Sequence, residues 1–427
     1  MMSSRVSLCA WALLIGLLAV ACQVPSYPAP PTPTPIARGS GKAAVAGGNS
    51  IAYVGRDYGI HVLTPDGRPG PSVLLPAQEA RAGWPTFSPA GNAIAFSAFD
   101  VDPTFASRGV YLAAVEVGAA SGASLVYQDI AGIVPSPAKP HSLHWSPDGQ
   151  RLAIVAVARD GMAFLLASAA DGWQPQAVTA GARLHVAWSP DSQSILVQRD
   201  GELVRVDMDK TNRPIRLESR AEASTVPAWS PDGAQIAFVA SGRGGSFLFL
   251  ARPDGNGQRP IARTTGIAHF QWSPKGNRLA LGQSGDATDG LMQGLRVVNA
   301  QSGDAFVLHD GPVTAFFWSP DGGRLAYVTS SGDGLALEWR VADMATGESF
   351  PLAQFLPTGE ELALLAGFDH DGSAHTPWSP DGKQLVFAGE PAGAAEAAGP
   401  SIYVAAADGQ TQPVAVAPGL FATWGSR

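Results

Sequence analysis

One short motif recurs along the chain and constrains its fold more than any other feature. An aromatic residue is followed by Ser-Pro and then, in most copies, by Asp-Gly. The spacings between successive copies are 58, 43, 41, 43, 46, 60 and 46 residues, which is the period of a repeated supersecondary unit. Seven copies begin at Phe87, Trp145, Trp188, Trp229, Trp272, Trp318 and Trp378, and Trp424-Gly425 is a truncated eighth copy.

Each copy of the motif predicts a strand, a tight turn and a second strand. Proline presets φ at the second turn position, aspartate bonds the local backbone, and glycine adopts the left-handed conformation that closes a hairpin. Apolar runs such as Ile236–Val239 follow the turns and predict buried second strands, after which a third and a short fourth strand complete each unit. The sequence therefore assigns structural turn roles to Trp145, Asp148, Trp188, Asp191, Trp229, Asp232, Trp318, Asp321, Trp378 and Asp381.

This pattern resembles the TolB-type β-propeller repeat over essentially all of residues 51–425. The resemblance implies that the tryptophan strand is the innermost strand of each blade, beside an axial channel. Three prolines agree with that placement, because proline is tolerated only where a strand lacks a ladder partner. Pro85, Pro227 and Pro377 all lie on the tryptophan strand, which is therefore predicted to be an edge.

The two ends of the repeat region complement each other. The region opens at Ile51 with a second-strand sequence and no preceding tryptophan turn, and it finishes at Trp424 with an inner strand and nothing after it. We expect the C-terminal inner strand to pair with the N-terminal sheet, so that neither edge is left open. The prediction is one all-β domain over residues 51–427, a propeller of eight four-stranded blades, with seven blades as the alternative.

The N-terminal residues have the layout of a secretory signal. A single arginine, Arg5, precedes an apolar run that ends at Cys22, and the residues before Cys22 resemble the lipobox of bacterial lipoproteins. Cys9 lies inside the signal, so an unacylated Cys22 would be a lone thiol in a secreted protein. We predict a signal peptide over residues 1–21, a lipid on Cys22 and a proline-rich stalk over residues 22–50; an ordinary signal peptide with a chance cysteine is the alternative.

Charge and localisation narrow the set of partners. The formal net charge is -8 and no run of Lys or Arg occurs, so the chain lacks the basic surface that nucleic acid requires. The predicted localisation is extracytoplasmic, on the periplasmic side of the outer membrane in a two-membrane cell and otherwise on the outer face of the cytoplasmic membrane. The TolB resemblance implies protein partners in the cell envelope; we expect a monomer without cofactors that meets the membrane only through its lipid.

Long connections are confined to one of the two faces that such a ring would have. The Ser-Pro-Asp-Gly turns stay short, whereas the opposite face receives the long segments 99–108, 129–140, 284–294, 354–374 and 391–400. Binding residues on rigid scaffolds usually lie on such connections. We therefore predict the partner surface on the long-connection face, around the mouth of the channel.

Three histidines raise a second possibility at that channel mouth. His185, His269 and His375 each lie three positions before a motif tryptophan, and the segment 369–372 adds Asp369 and Asp371. Imidazoles and carboxylates can bind a metal, and metal-dependent oligogalacturonate lyases look like propellers of related repeats. A polysaccharide-binding or lyase-like protein is thus the alternative, against ordinary polar lining residues. No Gly-x-Ser-x-Gly elbow or zinc-protease motif occurs, so the principal prediction is a binding protein and not an enzyme.

Overall fold

Each copy of the repeat folds into antiparallel strands in the structure, a computed structural model. The chain divides into two units, Met1–Thr32 and Pro33–Arg427, and every described residue belongs to the second. The predicted signal peptide, Cys22 and the stalk up to residue 48 lie outside the described residues. The structure describes residues 49–74, 80–100, 108–115, 121–128, 142–158, 161–208, 214–222, 225–284, 291–331, 336–371, 374–392 and 399–425.

The first half of the described chain is built from strands, with a short 3-10 helix at Ala169–Asp171. The strands are β1 (Ile51–Val54), β2 (Ile60–Leu63), β3 (Pro69–Leu74), β4 (Ala80–Phe87), β5 (Ala93–Asp100), β6 (Arg108–Ala114), β7 (Ser121–Gln128), β8 (Ser142–Trp145), β9 (Arg151–Ala158), β10 (Gly161–Ser168), β11 (Gln176–Gly181), β12 (Leu184–Trp188), β13 (Ser194–Arg199), β14 (Glu202–Asp207) and β15 (Pro214–Arg220).

The second half adds two helices, α1 (Gly359–Ala366) and α2 (Phe368–Asp371), to the remaining strands. These strands are β16 (Ala228–Trp229), β17 (Ile236–Gly242), β18 (Gly245–Ala251), β19 (Arg259–Thr264), β20 (Ala268–Trp272), β21 (Arg278–Gln283), β22 (Met292–Asn299), β23 (Ala305–Trp318), β24 (Arg324–Ser330), β25 (Leu337–Asp343), β26 (Ser349–Pro357), β27 (Gln384–Pro391), β28 (Ser401–Ala406), β29 (Val414–Pro418) and β30 (Phe421–Trp424). The all-β class predicted from the repeat is confirmed.

Neighbouring strands pair antiparallel in nearly every sheet. One sheet has the order β30-β1-β2-β3-β7-β6-β5-β4, in which β3 and β7 pair in parallel. Three four-stranded sheets have the orders β11-β10-β9-β8, β12-β13-β14-β15 and β16-β17-β18-β19, and a last sheet runs from β20 to β29 in chain order. Strand β30 pairs with β1 so that Trp424 lies opposite Ile51 and Phe421 opposite Val54.

One strand serves two successive repeat copies. The first part of β23 pairs with β22, with Ala305 opposite Val298, and its last part pairs with β24, with Trp318 opposite Leu325. An outer strand therefore continues directly into the next inner strand at this place. In the copy at Trp378 the inner strand is short, since Trp378 forms an isolated bridge with Leu385.

Burial follows the position of a strand within its sheet. Strand β13 is buried along its central four residues, as expected for a second strand covered on both faces. Strand β29, at the end of its sheet, is largely exposed. The apolar runs after the Ser-Pro turns therefore form the core, whereas an outer strand such as β29 meets solvent.

The core consists of clusters that join successive repeat copies. Ala237 and Leu248 pack with Leu279 and Leu281 of the next copy. The strands at the two ends of the repeat region are joined in the same way, because Ile51 and Trp424 share a cluster with Val386 and Ile402. Burial of each such side chain contributes about 1.5–3 kcal/mol.

Candidate functional site

The Ser-Pro-Asp-Gly turns are held by one recurring hydrogen-bond pattern. In the copy at Trp318, the Ser319 hydroxyl donates to Asp321 Oδ1 at 2.6 Å, and the Gly323 N–H donates to the same oxygen at 2.9 Å. The hydrogen bond from the motif serine is the main cause that lowers the carboxyl pKa in four copies. These are Asp191, Asp232, Asp321 and Asp381.

Two copies lack the aspartate, and in each of them an asparagine at a different position accepts the hydrogen bond of the motif serine. Ala90 and Lys275 stand where the other copies have aspartate. There the Ser88 hydroxyl donates to Asn92 Oδ1 at 2.9 Å, and the Ser273 hydroxyl donates to Asn277 Oδ1 at 3.1 Å. The aspartates therefore act within their own turns, as the asparagines do.

The motif tryptophans link each inner strand to the preceding one. The Trp188 indole N–H donates to the carbonyl oxygen of His144 at 3.0 Å, and the Trp229 N–H donates to that of Ala187 at 3.1 Å. In each case the acceptor is the residue just before the preceding motif aromatic. The same bond is made by Trp145 to Thr86, Trp318 to Gln271 and Trp378 to Phe317.

Two motif tryptophans depart from this pattern. Among the described residues, the buried indole nitrogens of Trp272 and Trp424 have no hydrogen-bond partner. For Trp424 the strand contact is made by the backbone instead, since its N–H donates to the Thr376 carbonyl at 3.2 Å. The tryptophans are thus connectors between strands, a role that the turn pattern alone does not indicate.

Two of the three predicted histidines meet through helix α2. His185 Nδ1 lies 2.7 Å from His370 Nδ1, and His269 Nδ1 donates to Asp369 Oδ2 at 2.7 Å. His370 Nε2 is 3.6 Å from Asp369 Oδ1. A single helical turn therefore joins strands β12 and β20, which belong to non-adjacent repeat copies.

Asp369 is the buried charge at the centre of this cluster. Its side chain is only 3% exposed, and burial by itself would raise its pKa. The hydrogen bond from His269 and the charges of His370, His269 and His185 outweigh that effect, so the pKa of Asp369 is lowered. Its Oδ1 has no hydrogen-bond partner among the described residues. The carboxylate is therefore held ionised by the surrounding imidazoles.

Residues 358–371, which we call the plug, carry this cluster against the inner strands. Thr358 caps α1 by accepting the Glu361 N–H at 3.0 Å, and Thr358 also donates to the Leu420 carbonyl. Leu364 packs with Trp84 and Phe421, and α2 lies against β8 as well as β20. These contacts fall at the strand ends opposite the Ser-Pro turns, so the plug lies at the long-connection end of the inner strands.

Phe368 fixes the plug on its other side. Its ring packs edge-on against Phe316 at 4.6 Å and lies 5.7 Å from the His269 ring, between ring centroids.

Glu361, in α1, is fully buried, and burial raises its pKa to about 8, opposed by a hydrogen bond from the Ala388 N–H. Its Oε2 has no hydrogen-bond partner among the described residues. Glu361 is therefore a neutral acid at pH 7.

His375 lies apart from the other two histidines. Its ring packs edge-on against Trp84 at 5.6 Å and against Phe421 at 5.4 Å. Its Nε2 lies 3.4 Å from the Trp84 carbonyl oxygen, and the residue is buried. The side chain of Asp371 lies outside the described part of the structure. Of the predicted set, the structure thus brings together His185, His269 and Asp369.

No group of three or more His, Cys, Asp or Glu within the described ranges has an arrangement that could hold a metal ion. The imidazoles and the carboxylate are instead hydrogen-bonded to one another.

Among the helices of the described residues, none is long and apolar enough to cross a bilayer.

A cavity of about 400 Å³ opens on the side of the Ser-Pro turns. Aromatic rings from Trp145, Trp188, Trp229 and Trp424 form its walls, and the described residues that line it include no aspartate, glutamate, lysine or arginine. Ala374 and Thr376, which follow the plug in the chain, form part of its lining. The sequence predicted binding at the opposite end of the inner strands, where all the long connections except 354–374 fall largely outside the described residues.

Comparison with known proteins gives the fold a wider context. The family described as the lipoprotein LpqB β-propeller domain matches residues 201–367, which is less than half of the chain. No curated protein sequence matches the chain.

Solved structures resemble the chain at low sequence identity. A dihydro-heme d1 dehydrogenase, NirN, in complex with DHE is 16% identical with a TM-score of 0.57, over 88% of this chain and 74% of that chain. An oligogalacturonate lyase in complex with manganese is 16% identical with a TM-score of 0.50, over 84% and 97%. TolB from Acinetobacter baumannii is 16% identical with a TM-score of 0.40, over 78% and 83%.

At these identities the structural likeness shows a shared fold and nothing of activity. The repeat, the four-stranded sheets and the LpqB propeller match agree with one another. The chain has a β-propeller fold, and residues 201–367 are similar to a lipoprotein β-propeller domain.

Proposed function

We propose that this chain is a lipid-anchored, extracytoplasmic scaffold that binds a protein partner of the cell envelope through its long-connection face. The matched family consists of lipoprotein propellers, and Cys22 follows a signal-like apolar run. The buried polar cluster supports binding over catalysis, because its imidazoles and carboxylate are engaged with one another.

The observation that carries the partner surface is the apolar exterior of the plug and of the strand before it. Leu362 on α1 is 47% exposed, and Leu356 at the end of β26 is 44% exposed. The inner face of the same helix is fixed by Leu364 and Leu365. Contiguous apolar surface marks protein contact sites, and we propose that Leu356 and Leu362 belong to one such surface.

Photo-crosslinking in intact cells tests this surface. A photoreactive amino acid at position 362 should yield one defined crosslinked protein, whereas the same residue at position 414 should not. Val414 is a matched control, because it is 61% exposed but lies on the outer strand β29. In the same cells Leu362→Glu should lower the yield of complex at least tenfold and Val414→Glu should leave it unchanged. Equal crosslinking at both positions, or insensitivity to Leu362→Glu, contradicts the proposed surface.

The anchor is tested separately by Cys22→Ala. The variant should leave the membrane fraction after cell breakage, because removing the acylated thiol removes the acyl chains that hold the protein. Retention of Cys22→Ala on membranes after a high-salt wash argues against acylation.

We also propose that the scaffold is a closed ring of eight blades. The support is that inner-strand aromatics recur eight times and that β30 completes the sheet of β1, β2 and β3. Clusters of buried residues join successive copies, including Val386 and Ile402 with Ile51 and Trp424. A ring of this kind leaves the plug as the structure that fills the long-connection end of its channel.

A further inference from the structure

The plug is fastened by a contact between two imidazoles. His185 Nδ1 and His370 Nδ1 are 2.7 Å apart, and the two ring centroids are 4.1 Å apart. At this distance one nitrogen must carry a proton and the other must offer its lone pair. If both Nδ1 atoms carry protons, no acceptor remains and two positive charges face each other. The contact therefore requires that the two Nδ1 atoms share a single proton.

We propose that the plug is a proton-operated latch, seated while the His185–His370 pair shares one Nδ1 proton and released when both rings are protonated. The inference concerns the plug alone and does not depend on the proposed partner or on the anchor.

The charges around the pair do not compensate a second proton. Asp369 is the buried carboxylate of the cluster, and its Oδ2 already accepts from His269. The other elements against α2 add His144 on β8 and Glu361 on α1, and Glu361 is neutral at pH 7. With His185, His269 and His370 all protonated, three positive charges face one carboxylate among the described side chains, which leaves a net charge of two there.

Release of the plug would change the surface around α1 and also the lining of the cavity on the turn side. Outside, α1 carries the exposed Leu362. Inside, Ala374 and Thr376 directly follow the plug and line the cavity on the turn side. The experiment therefore compares pH 7.5 with pH 5.0, on either side of the reference pKa of histidine, about 6.5.

Hydrogen exchange of the full-length protein in detergent, corrected for the intrinsic pH dependence of exchange, tests the latch. We expect amide protection of residues 359–371 to fall at least tenfold from pH 7.5 to pH 5.0, while β24 keeps its protection. His370→Gln should abolish the fall, because a neutral amide can donate to His185 Nδ1 when that nitrogen is unprotonated and accept from it when it is protonated. His309→Gln is the matched control and should respond as the unaltered protein does, since His309 lies on β23 beside Tyr327.

Three results would overturn the latch. They are equal protection of residues 359–371 at both pH values, the same fall in His370→Gln, and a parallel loss in β24, which would mean general loosening. If His370→Gln leaves the plug unprotected at pH 7.5, then His185→Gln takes its place, and a persistent pH response in that variant also refutes the proposal.

Discussion

The Trp188 indole N–H bonds to the backbone carbonyl oxygen of His144, 44 residues earlier in the chain. The side chain that defines one copy of the repeat thus satisfies the open edge of the preceding copy. Because β8 ends its sheet, an indole nitrogen from the following copy can reach the outward backbone of this strand. The tryptophan of the recurring turn motif therefore also joins its copy to the preceding one.

Replacing Trp188 by phenylalanine should destabilise the protein. The variant removes the indole donor to the His144 carbonyl oxygen, and loss of one such hydrogen bond costs about 0.5–1.5 kcal/mol. Trp272→Phe is the matched control, since its buried indole nitrogen has no partner among the described residues and only volume is lost. Urea unfolding followed by circular dichroism should give a midpoint clearly lower for Trp188→Phe. Equal midpoints for the two variants would show that the indole bond contributes nothing.

Glu361→Gln should stabilise the protein at alkaline pH. Burial raises the folded-state pKa of Glu361 to about 8, while an unfolded glutamate titrates near 4.5. The folded state therefore holds a proton that the unfolded state releases, and stability falls as pH rises from about 4.5 to 8. The variant should equal the wild type near pH 4.5 and exceed its melting temperature increasingly towards pH 8.5. A difference in melting temperature that does not depend on pH would show that Glu361 is solvated and not buried.

Asp321→Ala and Asn277→Ala should differ in their pH dependence. Each side chain accepts from the serine of its own turn, so each substitution should cost up to about 1 kcal/mol at pH 7. The Ser319 hydroxyl lowers the pKa of Asp321, so its contribution is present above the unfolded value of 3.8 and is lost as pH falls through the lower folded value. Acid titration of unfolding should show the cost of Asp321→Ala shrinking below about pH 3.8 while that of Asn277→Ala persists. Parallel curves would contradict the assigned bond.

Deleting residues 420–427 should open the sheet of β1. Phe421 and Trp424 are buried, and without β30 the backbone groups of β1 form a free edge that favours association between chains. We expect a melting temperature lower by at least 10 °C, in line with the loss of several kcal/mol, and dimers or larger species in light scattering. Deletion of residues 426–427 alone is the control and should behave as the full chain. A monomeric truncated protein with unchanged melting would refute closure by β30.

The sequence supports the fold because the repeat is local. A turn such as Trp318 to Gly322 closes its own hairpin, so its geometry follows from residues that are adjacent in the chain. Even the substitute acceptors at Asn92 and Asn277 could be found by aligning the copies, since they occur only where aspartate is missing. Helix α1 also has a local signal, because Thr358 followed three residues later by Glu361 is a capping pattern.

The site is harder to predict because its contacts are distant in sequence. His370 meets His185 across 185 residues, and Asp369 meets His269 across 100. The sequence predicts segment 354–374 as one of the connections of the long-connection face, and no local pattern indicates that part of it packs against the inner strands. The separation of His375 from the other two histidines is likewise a matter of packing, since Trp84 and Phe421 surround it.

The continuity of β23 has a mechanical consequence. From Ala305 to Trp318 the backbone changes from pairing with β22 to pairing with β24 within one sheet, and so joins two neighbouring repeat copies by a continuous strand. Strain applied to either neighbour is carried through covalent bonds and paired amides together. This stretch should be the stiffest join of the molecule, and loosening under force should start elsewhere.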